Sequence, residues 1–462
     1  YKKGSPRSMK IADADAGDGI TIEQLSINGE EQNINRLRID ATNMTVRIKP
    51  LLAKQQLQFR IKFSYLLNKD SHIRTGQVDS GAFFIAYFFP RIAVYDDIDG
   101  WNRFQYNGSQ EFYNDFCNFK TAVTVPSNYM VWATGDLKNC SDVFTQKYCD
   151  RIRQAETNDA IIDIIDSNDL KQGNITTNTG NTWLFESDNV TDVAIGISNH
   201  YVWQSSSLIV DPATKRRTRV DAVFNTTHKD FFWVASDARK TVEAMSYRFP
   251  KWPFPYNHET VFDGLDQMEY PMMVNDNPVE DRAESIELTD HEIFHTMFPF
   301  YMGINETKYG WMDEGFNTFI NSLADDDFNK GEYKQSKTSM EYATGSIFGE
   351  NSETVLSTPD AMMEANIGNA LYRKPGYALE LLRNEILGPE RFDYAFKTYI
   401  NRWAFKHPTP WDFFRTMDNA AGENLSWFWK GWFLENYRLD QSIIAVKYDK
   451  DNAANGAVVT IA

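Results

Sequence analysis

The stretch LTDHEIFHTMF, residues 288–298, constrains this chain more than any other. It holds two of the seven histidines, His291 and His295, four residues apart, with Glu292 beside the first. H-E-x-x-H acquires chemical meaning only on a helix. At about 3.6 residues per turn both imidazoles fall on one face, one turn apart, and can share a cation. Glu292 then stands where it can reach a water on that cation. The plainer alternative is a solvated helix carrying two surface histidines, so the metal reading makes a demand elsewhere in the chain. Zinc in hydrolases takes three protein ligands and leaves a fourth position for water.

WMDEGFNTF, residues 311–319, meets that demand with Glu314, with eighteen residues between it and His295. That interval lets the first helix end near Pro299, the segment FYMGINETKYG loop back, and a second helix run alongside the first. Phe316, Phe319, Ile320 and Leu323 recur with a period near 3.6, which predicts that this second helix buries one face. The expectation is one Zn²⁺ per chain, held by His291, His295 and Glu314, with Glu292 as the general base.

The rest of the chain reads as more than one domain, since 462 residues exceed one ordinary core. A content of 42% hydrophobic and 14% aromatic residues supports a packed interior. A net charge of −17 excludes a general nucleic-acid binder, which needs a basic surface. The one basic cluster, TKRRTR (214–219), reads as a solvated hairpin tip. The longest strongly apolar run, GAFFIAYFFP (81–90), is about half of what a bilayer span needs. Cys140 and Cys149 allow one small bridge, which would point to an extracytoplasmic compartment, or two reduced thiols, which would not. Up to about residue 205 the pattern is of strands, as in LQFRIKFSYLL and FKTAVTVP, with a polar loop over 168–182. Helices follow to 437, and residues 438–462 read as two strands joined by a turn. The expected division is therefore a β-sheet domain over 1–205, a mostly helical domain over 206–437, and a β tail that begins a further domain.

Beyond these readings, the chain resembles the M1 metallopeptidases, a family of zinc aminopeptidases. The residues that carry the resemblance are the zinc signature, H-E-x-x-H with Glu314 in DEGF, together with GLDQMEYP (264–271) and YRKPG (372–376). It extends roughly from FFPRIAVYDD to WFLENY. The resemblance implies an α+β multidomain chain, with an N-terminal antiparallel β domain followed by a thermolysin-like, mostly helical catalytic domain. It implies that Glu269 binds the free α-amine of a substrate and that the Tyr372 phenol hydrogen-bonds the tetrahedral intermediate. The partners it implies are peptides with a free N-terminus; no nucleic acid and no transmembrane segment are expected, and the oligomeric state stays open. There are departures. Asp266 and Gln267 stand where the family has one small residue, Tyr270 where it has Asn, and Pro375 where it has Gly. The family's amine-binding Gln or Glu from the first domain has no match near 83–89. Two other readings fit the same zinc chemistry or fold: an endopeptidase of the gluzincin type, and a catalytically silent peptide-binding protein.

Overall fold

A computed structural model of the chain describes residues 19–69, 74–106, 108, 110–177, 181–329, 345, 347–349, 351–437 and 442–461. In the first part, alternation of apolar and polar residues resolves into small antiparallel sheets. Thr21–Ile27 pairs with Phe59–Ser64, and Cys117–Thr124 pairs with Thr182–Val190. A four-stranded sheet takes the apolar run as its strand Ala82–Ile85, with Ala82 and Phe84 inside. Cys140 and Cys149 are joined as a disulfide, and Cys117 is free and exposed. No helix among the described residues is long and apolar enough to cross a membrane.

Two local expectations are corrected. The polar stretch 168–182 is not all loop, because Ser167–Gln172 is helical. Asp166 caps it by accepting from the backbone N–H of Asn168 and Asp169 at 2.7 and 2.8 Å. Asp169 is in turn buried against Lys147 and Arg151, so polar residues are used up in a cap and an ion-pair cluster. Residues 178–180 of that stretch lie outside the described residues. In the basic cluster the tip is short, and Arg216, Arg217 and Arg219 already belong to a strand. Arg217 Nε donates to Ser207 Oγ at 2.9 Å, and Arg219 pairs with the buried Asp221 at 2.9 Å. These cations are half-buried because their own strand and the strand Val202–Asp211 paired with it offer them acceptors.

The site is positioned by a six-stranded sheet. Its strands are β1 (Ile162–Ile165), β2 (Val202–Asp211), β3 (Arg216–Phe224), β4 (His258–Asp263), β5 (Met268–Tyr270) and β6 (Met273–Asp276), in the order β1-β2-β3-β4-β6-β5. Residue 205 falls inside β2. The pairs β3–β4 and β4–β6 are parallel, and the edge strand β5 is antiparallel to β6. Both β4 and β6 are buried along their whole length, so each residue must suit one of two apolar faces. Val261 and Val274 face the helical core, while Phe262 and Met273 face the core built by the first 200 residues. On β5, Met268 and Tyr270 join that second core. The period of two therefore turns Glu269, between them, toward the helices.

The helices that matter are α1 (Phe231–Tyr247), α2 (Arg282–Phe294), α3 (Glu306–Tyr309), α4 (Trp311–Asn329), α5 (Lys374–Leu381), α6 (Pro389–Trp403) and α7 (Pro410–Ala421). Phe316 and Phe319 of α4 pack edge-on against Phe396 of α6, and Phe316 also meets Phe413 of α7. The tail forms an antiparallel pair, Ile443–Tyr448 with Ala457–Ile461.

Where the sheet meets α2, Asp276 ends β6 fully buried and accepts from Thr289 Oγ1 at 3.0 Å. Burial pushes its carboxyl up to about 7. Its proton is held more tightly folded than unfolded, so stability falls as pH rises from about 4 to about 7 and is level above. Asp276→Asn is expected to gain stability over the parent at pH 8, by at most about 4 kcal/mol, and much less at pH 5. Thermal melts of both proteins at the two pH values check this; an equal gain at both would refute it.

Candidate metal centre

Helix α2 begins at Asp281, whose carboxylate accepts from the N–H of Ala283 and Glu284 at 2.9 and 3.1 Å. It runs to Phe294, so His291 lies in its last turn and His295 caps it, with ring centroids 4.7 Å apart. The chain then leaves the helical path at Phe298, returns through the single turn of α3, and enters α4. Glu314, in the first turn of α4, meets the two rings. His291 Nε2 and His295 Nε2 are 3.1 Å apart, and Glu314 Oε2 is 3.2 Å from the first and 3.5 Å from the second.

The far side of each ring is held. His291 Nδ1 is 3.0 Å from Asn321 Oδ1. His295 Nδ1 is 2.9 Å from the Phe298 carbonyl and 2.6 Å from Asp313 Oδ1. With protons on both Nδ1 atoms, both Nε2 atoms turn bare lone pairs toward a carboxylate oxygen. Three such donors at this separation repel one another unless a cation lies between them. Tetrahedral ligands about 2.0–2.1 Å from zinc stand about 3.3 Å from each other, which is the spacing seen. The donor set, two imidazoles and one carboxylate, also suits zinc. His291 and Glu314 keep 20% and 13% side-chain exposure, so a fourth position can be reached from solvent.

The other residues singled out from the sequence are brought to the same place. The Tyr372 hydroxyl donates to Glu314 Oε1 at 2.5 Å, and its ring stacks toward His291 at 6.2 Å. Glu269 is buried, and its carboxylate, a His295 ring nitrogen and an Asp313 oxygen lie within 4.8 Å of one another. Glu292, also buried, is pushed well above the usual carboxylate range by its burial and then by the charge of Glu269. Burial also raises Glu314, but the hydrogen bond with His291 and the charges of both histidines outweigh it and hold this carboxyl at about 2.

Several residues escaped the sequence reading. Asp313, Asn317 and Asn321 recur every four residues on α4 and form the polar stripe that faces α2. Asn317 Nδ2 donates to the Phe298 carbonyl at 2.8 Å, fastening the end of the histidine helix. The i, i+4, i+8 spacing was the available signal. From the first part of the chain comes a buried ion pair, Arg74 with Glu111. The Glu111 carbonyl accepts from Thr307 Oγ1 at 3.0 Å, and the Glu111 charge bears on Glu269. Nothing in QEFYND marks this residue in advance. Tyr270 packs against Phe84 and Tyr87, with centroids 5.3 and 5.4 Å away.

Asp313 is buried, and its ion pair is with the inner nitrogen of His295. Asp313→Asn is expected to weaken zinc binding about 10–100-fold, with the protein still folded. Competition against a chromophoric chelator measures this; unchanged affinity would remove Asp313 from the support of the site.

Residues 265–432 match the model of the peptidase family M1 domain. No curated protein matches the chain by sequence. Among solved structures the fold is similar to aminopeptidase A of Legionella pneumophila in complex with aspartic acid, at 12% identity and a TM-score of 0.58. It is similar to an M1 zinc metallopeptidase of Deinococcus radiodurans, at 13% and 0.59, and to LTA4 hydrolase of yeast, at 16% and 0.56. These matches cover 90%, 91% and 91% of this chain, and 45%, 85% and 62% of the others. The chain thus spans less than half the length of the Legionella enzyme, and identities this low speak for the fold alone. Residues 265–432 are thus similar to the peptidase family M1 domain, and the chain carries the fold of the M1 zinc metallopeptidase it matches.

Proposed function

We propose that this chain is a zinc-dependent aminopeptidase, which hydrolyses the first residue from peptides. His291, His295 and Glu314 hold one Zn²⁺. When bound, the metal supplies Lewis acidity, which lowers the pKa of a water to about 7 and polarises the scissile carbonyl. Glu292 accepts the proton of the attacking water and passes it to the departing amine. Its elevated pKa suits both halves of that task. The Tyr372 hydroxyl, already aimed at the ligand set, donates to the oxyanion that forms. Glu269 pairs with the substrate's α-ammonium and so fixes which peptide bond meets the water.

The observation that carries the exopeptidase reading is the position of Glu269. It is a buried carboxylate beside His295, on an edge strand, and a buried carboxylate without a cation is costly. A substrate ammonium relieves that cost. An N-acetylated substrate removes the cation and leaves the acid buried. The expected loss is roughly 3–5 kcal/mol, at least about a hundredfold in kcat/KM. Rates for one peptide and its acetylated twin test it. Equal cleavage of both would mean an endopeptidase. Glu269→Ala should weaken the free-amine substrate strongly and the blocked one hardly at all.

Glu292→Gln is expected to keep zinc and lose nearly all turnover. Tyr372→Phe should lose about 10²–10³ in kcat with little change in KM. Metal analysis alongside steady-state kinetics distinguishes these outcomes from loss of the site. A zinc-loaded Glu292→Gln protein that still turns over would remove the general base.

A further inference from the structure

The site holds more buried acid than the proposed reaction uses. Each carboxylate around it has an assigned cation, hydrogen or water, except one. Glu314 has the imidazoles and Tyr372, Asp313 has His295, and Glu111 has Arg74. Glu292 takes the water and Glu269 the ammonium. Glu306, at the start of α3, is only 8% exposed, and its carboxylate reaches no hydrogen-bond or ion-pair partner among the described residues. Its neighbour Thr307 hydrogen-bonds the Glu111 carbonyl, which puts it at the same wall as that ion pair. The charges of Asp313, Glu111, Glu269 and Glu314 all bear on it, so it lies among the acids of the site. Burial first, and then these neighbours, drive its carboxyl well above the usual range. Arg74, a buried cation nearby, is spent on Glu111.

We infer that Glu306 is a specificity-determining residue that selects substrates whose first side chain carries a cation, as in lysine or arginine. The inference rests on the aminopeptidase reading. Once Glu269 holds the α-ammonium, the first side chain is the part of the substrate that can bring a second positive charge to short range. An acid left unpaired in a buried site favours the ligand that neutralises it and disfavours an uncharged isostere.

The test compares two peptides identical except for the first residue, lysine in one and norleucine in the other, which has a methyl group in place of the ammonium-bearing end. The zinc-loaded wild type is expected to show kcat/KM at least about 30-fold higher for the lysine peptide. In Glu306→Gln the ratio of the two should fall by about tenfold or more, and in Glu306→Asp, which keeps the charge, by less. Hydrolysis of both peptides at equal kcat/KM by the wild type overturns this inference alone. So does a wild-type preference for lysine that survives unchanged in a folded Glu306→Gln. Hydrolysis of neither overturns the aminopeptidase reading, and this one with it. The wild-type comparison stands even if the variants fail to fold.

Discussion

The contact between α2 and α4 is what the rest of the site depends on. One face of α4 buries Phe316, Phe319 and Ile320 in the helical core. Full burial of such a side chain is worth about 1.5–3 kcal/mol, and these three anchor the helix. The adjoining stripe of Asp313, Asn317 and Asn321 spends part of that stability on buried polar groups. In return it fixes both imidazoles and the Phe298 carbonyl. Apolar packing holds the helix down, and the polar stripe aims the imidazoles.

A second constraint is charge. Glu111, Glu269, Glu292, Glu306, Asp313 and Glu314 crowd one buried region, against Arg74 and two histidines. Carboxylates this close either take up protons or wait for cations. A metal ion, a substrate ammonium and a cationic side chain are three ways to satisfy them, and each would stabilise the site it enters. The same logic explains why Glu314 alone is depressed: it is the acid with imidazoles and a phenol already aimed at it.

Much of this was legible in the residues. The interval between His291 and His295 has one useful geometry, a helical turn, and Glu314 followed from the eighteen-residue return. The apolar period in FNTFINSL told which face of α4 is buried. Glu269 and Tyr372 were readable only through resemblance, because neither MEY nor YRKPG has a period or spacing that ties it to a distant histidine. Local polarity misled twice. The stretch at 168–182 was polar because it caps a helix and pairs with Lys147 and Arg151, and the arginines at 216–219 were basic because β2 and β3 supply acceptors. In both cases composition was read as exposure, although partners within about two dozen residues had taken the charges in.

The sequence by itself determined the candidate ligand set, the candidate base and the alternation that builds the sheets. Those depend on helical and strand periods, which act over a few residues. Tertiary structure alone decided that Glu111 and Arg74 form a buried pair beside α3, that Glu269 turns toward the helices, and that Glu306 is left without a partner among the described residues. Each of these is a meeting of segments tens to hundreds of residues apart. Which acid keeps a partner is settled by the packing of the whole chain, since burial and the nearest opposite charge, rather than residue type, set the state of a carboxylate.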